Sequence, residues 1–235
     1  MLRCAILVGF VMNTATAARA DQLIGLLTLP EVFGREACDR FEPQEVALYA
    51  GPITKERIGS IRVDKYWEFH DVGGCAGLEV RVHRTSGGVG NFPTLEYTYE
   101  APAAMVLERR DRWFKVRLSD GEGWIHASER DEFHSLEALL TNGLTYLTAD
   151  FDGRLMKTAG SAMPAAGDQE LGLGKDTSVR TIDFRLVDGD LWIHVEVLSG
   201  SICTSIDPPT VIRRGWLPAH SAGGQPSIWF YSRGC

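Results

Sequence analysis

Six histidines and five cysteines are the side chains of this 235-residue chain best suited to hold a metal or attack a substrate. The histidines, His70, His83, His126, His134, His194 and His220, are scattered along the chain. A zinc hydrolase needs ligands that converge, as in H-x-x-x-H on one helix face. His126 and His134 lie eight positions apart, but Ile125-His126 reads as strand, so surface histidines are the expectation. A serine hydrolase with a nucleophile elbow would show G-x-S-x-G, and no such segment occurs. Neither Gly87-Gly88-Val89-Gly90 nor Gly172-Leu173-Gly174-Lys175 completes a phosphate loop. Asp150-Phe151-Asp152-Gly153 begins like a calcium loop but lacks the later oxygens and the closing glutamate, so it reads as a turn. No catalytic centre, metal or cofactor is therefore expected.

The cysteines belong with the N-terminus. Met1-Leu2-Arg3 is a short basic start, Cys4 to Met12 is apolar, and Ala18-Arg19-Ala20 is a small-x-small cleavage site. Residues 1–20 read as a secretory leader whose apolar run is too short to span a bilayer. Cleavage after Ala20 would leave 22 basic against 31 acidic residues, a net charge of −9. So acidic a chain is a poor match for nucleic acid or an anionic membrane. Cleavage would also leave Cys38, Cys75, Cys203 and Cys235, an even number that reads as disulfides in an exported protein. Two fall in each half, so Cys38–Cys75 and Cys203–Cys235 are the expected pairs, with buried free thiols as the alternative. A cysteine peptidase is disfavoured on the same ground. A soluble periplasmic or secreted protein without stable membrane insertion follows.

The aromatic residues remain, and strands must position them. Trp113-Phe114-Lys115-Val116-Arg117-Leu118 alternates apolar and basic residues, the period of a strand with one wet face. Ser119-Asp120-Gly121-Glu122-Gly123 supplies a tight turn, and Trp124-Ile125 opens the next strand, so the two tryptophans should face each other across a hairpin. Earlier, Glu45 to Ala50 reads as a strand running into Gly51-Pro52, and Ile58 to Val63 as a second. Gln22 to Leu29 is apolar without a period, a short helix or a draped segment. Leu78–His83 and Leu95–Tyr99 are expected to pair as an inserted hairpin, and Ala104–Glu108 to precede the central one. Phe133, Leu136, Leu139 and Leu140 suit one or two helical turns between the halves.

The second half repeats the first. Leu191-Trp192-Ile193-His194-Val195-Glu196-Val197 again alternates with W-x-x-V, and Gly215-Trp216-Leu217 repeats Gly123-Trp124-Ile125. Leu144–Leu147, Val179–Leu186 and Ser227–Tyr231 are further strand candidates, and Ser161–Lys175, rich in Gly, Ala and Pro, is a loop. Such a duplication predicts two small β-barrels.

The order strand, Gly-Pro loop, Ile58-Gly59-x-Ile61, then W-x-x-V-x-L, turn and G-W-[aliphatic] resembles the bacterial Src-homology-3 (SH3) family. The resemblance covers 46–63 and 104–128, and more weakly 179–220. It implies an all-β fold of two SH3-like β-barrels with inserted hairpins and a short helical linker: an N-terminal segment 21–45, a first domain 46–130, a linker 131–143 and a second domain 144–235. It implies aromatic-lined ligand grooves, Tyr49 with Trp113 in the first half and Tyr146 with Trp192 and Pro218 in the second. His126 stands where eukaryotic members carry the groove proline that Pro218 matches. Trp113 and Trp192 can equally be groove or core, whereas Trp124 and Trp216 read as core. Glu45 and Asp111 lie near the first groove and would favour a ligand carrying Lys or Arg. The expected partner is cell-wall peptide or glycan, or another envelope protein. A structural or inhibitory partner of an envelope protein, a stress-linked scaffold, and a cell-wall hydrolase with a convergent site are the alternatives.

Overall fold

The computed structural model describes residues 22–33, 45–69, 74–165, 172–204 and 207–234, without the side chains of residues 65–69, 74–78 and 142. The leader expected over residues 1–20 lies outside them. The fold is all-β, in two antiparallel sheets.

The first sheet is built from β1 (Gly25–Leu27), β2 (Glu45–Tyr49), β3 (Arg57–Phe69), β4 (Gly74–Arg84), β5 (Val89–Asn91), β6 (Thr94–Thr98), β7 (Ala101–Arg110), β8 (Trp113–Leu118), β9 (Gly121–His126) and β10 (Phe133–Ser135). Its order is β10-β1-β7-β8-β9-β2-β3-β4-β5, with β6 paired to β7. A one-turn helix, α1 (Pro30–Phe33), follows β1, and α2 (Leu136–Asn142) follows β10. The second sheet contains β11 (Thr145–Leu147), β12 (Ser178–Val187), β13 (Asp190–Leu198), β14 (Val211–Pro218) and β15 (Ile228–Phe230), in the order β14-β13-β12-β11-β15.

Alternation explains the central strands. Phe114, Val116 and Leu118 of β8 are buried in the first core, and Ile193, Val195 and Val197 of β13 in the second. The intervening residues point away from those cores, as a period of two requires. The β8–β9 turn is the two residues Ser119-Asp120, with Gly121 at φ 138°, and Arg84 donates to Asp120 at 2.6 Å. The β12–β13 turn is Asp188-Gly189, both at positive φ (51° and 82°), the form that matches strand twist.

The two sheets share one plan. Reading outward from β10, the first runs β10-β1-β7-β8-β9-β2, and the second runs β15-β11-β12-β13-β14, with Met156 bridged to Trp216 beyond β14. Chain order matches as well. Gly123 and Gly215 occupy corresponding places, and each admits a leucine from the neighbouring segment. A Cβ on Gly123 would lie 2.5 Å from Leu48 Cδ1, and one on Gly215 would lie 2.7 Å from Leu155 Cβ. The first sheet differs by carrying β3 to β6 between the corresponding strands.

Several expectations are corrected. Neither sheet closes into a barrel among the described residues: β10 and β5 end the first, β14 and β15 the second. After β2 the chain runs out into the long β3–β4 hairpin. Leu78–His83 and Leu95–Tyr99 do not pair, because β4 folds onto β3 and β5 while a turn with Glu100 at φ 53° returns β6 onto β7. Gln22 to Leu29 carries strand β1, between β10 and β7. Residues 131–143 hold both β10 and α2, so this stretch completes the first sheet before leaving it. Ser135 caps α2, its hydroxyl accepting from Ala138 N at 3.2 Å.

A third core joins the halves. Leu23, Leu26, Ala103, Met105 and Leu139 pack with Phe230 of β15. Two polar ties flank this seam: His220 Nε2–H donates to Leu23 O at 2.8 Å, and Arg233 pairs with Glu96.

Candidate functional site

Strand register brings three rings together on the outer face of the first sheet. Trp113 opens β8 and lies directly across from His126, the last residue of β9. β2 pairs with β9 at Tyr49 and Trp124, which carries Tyr49 alongside. Tyr49 meets Trp113 edge-on at 5.2 Å and 78°, and Trp113 meets His126 at 4.9 Å and 63°. Tyr49 and Trp113 are half-buried and His126 is exposed. The pair expected to form the first groove is thus assembled, and His126 extends it.

The two hairpin tryptophans do not face each other: Trp124 lies across from Lys115. Trp124 is buried, as expected of a core residue, yet it belongs to none of the three cores. The Arg110 guanidinium covers it at 5.3 Å from the ring centroid, a cation–π contact.

The acidic walls expected beside the pad are offset by arginines. Arg57 donates to Glu45 at 2.6 Å, and that bond holds the Glu45 carboxyl below its ordinary range. Asp111 lines a separate cavity of about 330 Å³ together with Arg109 and Arg112. The same cavity borders Asp131, whose carboxyl is pushed up by burial, with Oδ2 accepting from Ser128 N at 2.6 Å.

The second sheet repeats part of this arrangement. Trp192 lies across from Pro218, as Trp113 does from His126. Arg185 sits 4.8 Å over buried Trp216, as Arg110 sits over Trp124. His194 takes the place of Lys115 and stacks on Trp216 at 4.8 Å and 9°, where burial pushes its imidazole pKa down. Tyr146 does not join this face. It pairs in register with Ser178 and Trp229 and packs on Tyr231 at 4.4 Å. Ser178 and Arg185 are seven positions apart on β12, roughly 23 Å along an extended strand. The trio Tyr146, Trp192 and Pro218 is therefore not assembled, although the last two are neighbours.

One polar cluster was not singled out from the sequence. His83 lies between Arg62, which donates to Nδ1 at 2.8 Å, and Asp64 Oδ1, which accepts from Nε2 at 2.7 Å. Arginine can only donate, so it fixes Nδ1 as the acceptor and places the proton on Nε2. Both nitrogens are occupied, and no lone pair is left to serve as a base. Arg62 belongs to the strand expected over Ile58–Val63, but Asp64 lies one residue past it, at a register shift of β3, and His83 comes from β4. Among the described residues no group of three His, Cys, Asp or Glu side chains is arranged to hold a metal ion. Asp150–Gly153 is a turn in which Asp152 Oδ1 accepts from Arg154 N at 3.0 Å and Gly153 takes φ 83°.

Cys38 and Cys235 lie outside the described residues, as does the Cys75 side chain. Cys203 is exposed in the β13–β14 connection and is not a free thiol. No helix among the described residues is long and apolar enough to cross a membrane. Comparison with family models, with curated proteins and with solved structures gave no match to this chain.

Proposed function

We propose that this chain is an exported, non-catalytic binding protein of the cell envelope, built from two SH3-like units that arose by internal duplication. Its ligand is a cell-wall peptide or glycan, or another envelope protein, held on the aromatic pad of the first sheet. The observation that carries this reading is the convergence of Tyr49, Trp113 and His126 on one outer face. Flat rings there offer apolar faces to an extended ligand, and the exposed imidazole adds a polar edge. With Glu45 tied to Arg57 the pad lacks the free acidic wall that would select a cationic peptide, which favours a neutral peptide or a sugar face. Trp192 and Pro218 form a smaller second surface of the same kind.

The repeated strand order and the paired glycines Gly123 and Gly215 support the duplication. Disulfides Cys38–Cys75 and Cys203–Cys235 belong to the same reading, each closing a loop within one half. Co-sedimentation with cell-wall fragments tests the proposal. Trp113→Ala should abolish capture while circular dichroism stays that of the parent. An unaltered parent protein that never sediments with wall or envelope extracts would rule the reading out.

A further inference from the structure

We infer that the first sheet holds a carboxylate-bearing peptide, its carboxylate gripped by Arg109 and Arg112 in the cavity beside the aromatic pad. The inference rests on the proposed pad as the surface that holds the rest of the ligand. The cavity, of about 330 Å³, adjoins the pad at the open end of the β8–β9 hairpin. Arg112 precedes Trp113 and Ala127 follows His126, and Ala127 N–H donates to Arg112 O at 2.8 Å. An extended chain lying on the pad can therefore pass over the end of the hairpin into the cavity.

The occupant follows from how the two guanidiniums are held. Arg57, Arg81, Arg84, Arg110, Arg214 and Arg233 each bond a carboxylate of this chain. Arg109 and Arg112 are anchored instead by main-chain carbonyls. Arg109 Nε donates to Asp111 O at 3.1 Å, and its guanidinium carbon lies 5.5 Å and 5.3 Å from the Phe114 and Phe133 ring centroids. Arg112 gives Nε and Nη2 to Ala127 O at 3.2 Å and 3.0 Å. Each guanidinium is thus fixed in place without an acid partner among the described residues, and Nη donors are left over on both. Arginine donates only, so the group that matches them is an anion, and the planar fork fits the two oxygens of a carboxylate. The acids of the same lining do not fill this role. Asp131 Oδ2 accepts from Ser128 N at 2.6 Å, and burial pushes that carboxyl up. Among the described residues, the exposed Asp111 and Glu129 form no ion pair with either arginine. Their charge disfavours a doubly charged phosphate and leaves a single carboxylate as the fitting anion. It occurs at a chain terminus and on an acidic side chain.

NMR titration of the full chain tests the clamp with three peptides: N-acetyl-Tyr-Ala-Ala as the free acid, the same peptide as its C-terminal amide, and N-acetyl-Tyr-Ala-Glu amide. A carboxylate peptide should bind saturably, move the Arg109 and Arg112 Nε–H resonances, and bind about tenfold tighter than the uncharged amide. A tighter hold on the free acid assigns the clamp to a chain terminus, and a tighter hold on the Glu amide assigns it to an acidic side chain. Arg109→Gln combined with Arg112→Gln should bring the carboxylate peptides down to the level of the uncharged amide, with that level and the circular dichroism unchanged. Trp113→Ala should weaken all three. Absence of saturable carboxylate binding, equal hold on acid and amide, or acid binding unchanged in the double variant overturns the inference. So does displacement by inorganic phosphate at a lower concentration than by acetate. Wall fragments that still co-sediment in any of these events leave the pad reading standing, whereas failure of wall fragments and peptides alike removes both.

Discussion

Arg233 holds Glu96 through both ends of its guanidinium, Nε to Oε2 at 3.0 Å and Nη2 to Oε1 at 2.5 Å, although 137 positions separate the two residues. Ser232 adds a hydroxyl donor to Oε2 at 2.9 Å. The chain after β15 is thereby tied to β6 of the other sheet.

The tie predicts an acid-sensitive C-terminus. The Arg233 hydrogen bonds, helped by Ser232, pull the Glu96 carboxyl down to about 2. A carboxyl depressed in the folded state contributes above its unfolded value of about 4.3 and loses that contribution as pH falls toward the folded one. Amide protection of residues 229–234, relative to an unstructured peptide at the same pH, should therefore fall between about pH 4 and pH 2, and in Glu96→Gln already at neutral pH. The pair is solvent-exposed, so the melting temperature should scarcely move. Unchanged exchange in Glu96→Gln would show that the apolar seam alone holds this segment.

The glycines beneath the tryptophans predict matched defects. Leu48 and Leu155 are fully buried and cannot yield to a Cβ placed 2.5 or 2.7 Å away. Gly123→Ala and Gly215→Ala should each destabilise the protein by about 1–3 kcal/mol through overpacking. Gly174→Ala, where the new Cβ meets nothing within 4 Å, serves as the neutral control. Urea titration would detect the contrast, and a silent Gly215→Ala would break the proposed equivalence of the two sheets.

What was legible in the sequence had one wet face. β8 and β13 announce themselves because Phe114, Val116 and Leu118, or Ile193, Val195 and Val197, alternate with outward residues. β1 does not, because Leu27 packs in the first core and Leu26 in the seam, so both faces are apolar and the period disappears. β10 is three residues long, too short for any period to show. Partner choice was hidden as well: Leu78–His83 and Leu95–Tyr99 both read as strands, but turns elsewhere decide what each pairs with. The pad was legible through Tyr49 and Trp113, while Tyr146 failed because a tyrosine in a strand does not reveal which end of its neighbour it will face. Trp124 and Trp216 read as core because a small barrel needs aromatics to fill it, and their arginine covers come from strands whose register was unknown.

The seam should make the halves interdependent. Leu26 is fully buried there against residues of both sheets. Leu26→Ala should cost about 2–5 kcal/mol, the usual penalty of a buried leucine cavity. Amide protection should fall together in β8 and β13, since the cavity loosens a surface that both sheets share. Loss confined to β8 would mean that the sheets open separately despite the shared core.

His220 supplies the last prediction, a fall in stability on mild acidification. It is 8% exposed, and its Nε2–H bonds to Leu23 O across the seam. Burial pushes its imidazole pKa down, against smaller upward pulls from the Leu23 carbonyl and Asp190, with Arg117 adding to the depression. An imidazole depressed in the folded state contributes above its unfolded value of about 6.5, and that contribution is lost as pH falls through the folded one. The unfolding free energy should therefore fall as pH drops below about 6.5, with a slope of at most about 1.4 kcal/mol per pH unit for one group. His194 is also depressed by burial and would add a similar slope, so the wild type must be compared with His220→Gln and His194→Gln separately. Glutamine at 220 keeps an N–H for Leu23 but does not titrate, and it should flatten part of the pH dependence. If His220→Gln and the wild type lose stability in parallel across this window, the seam histidine is not the acid-sensitive group.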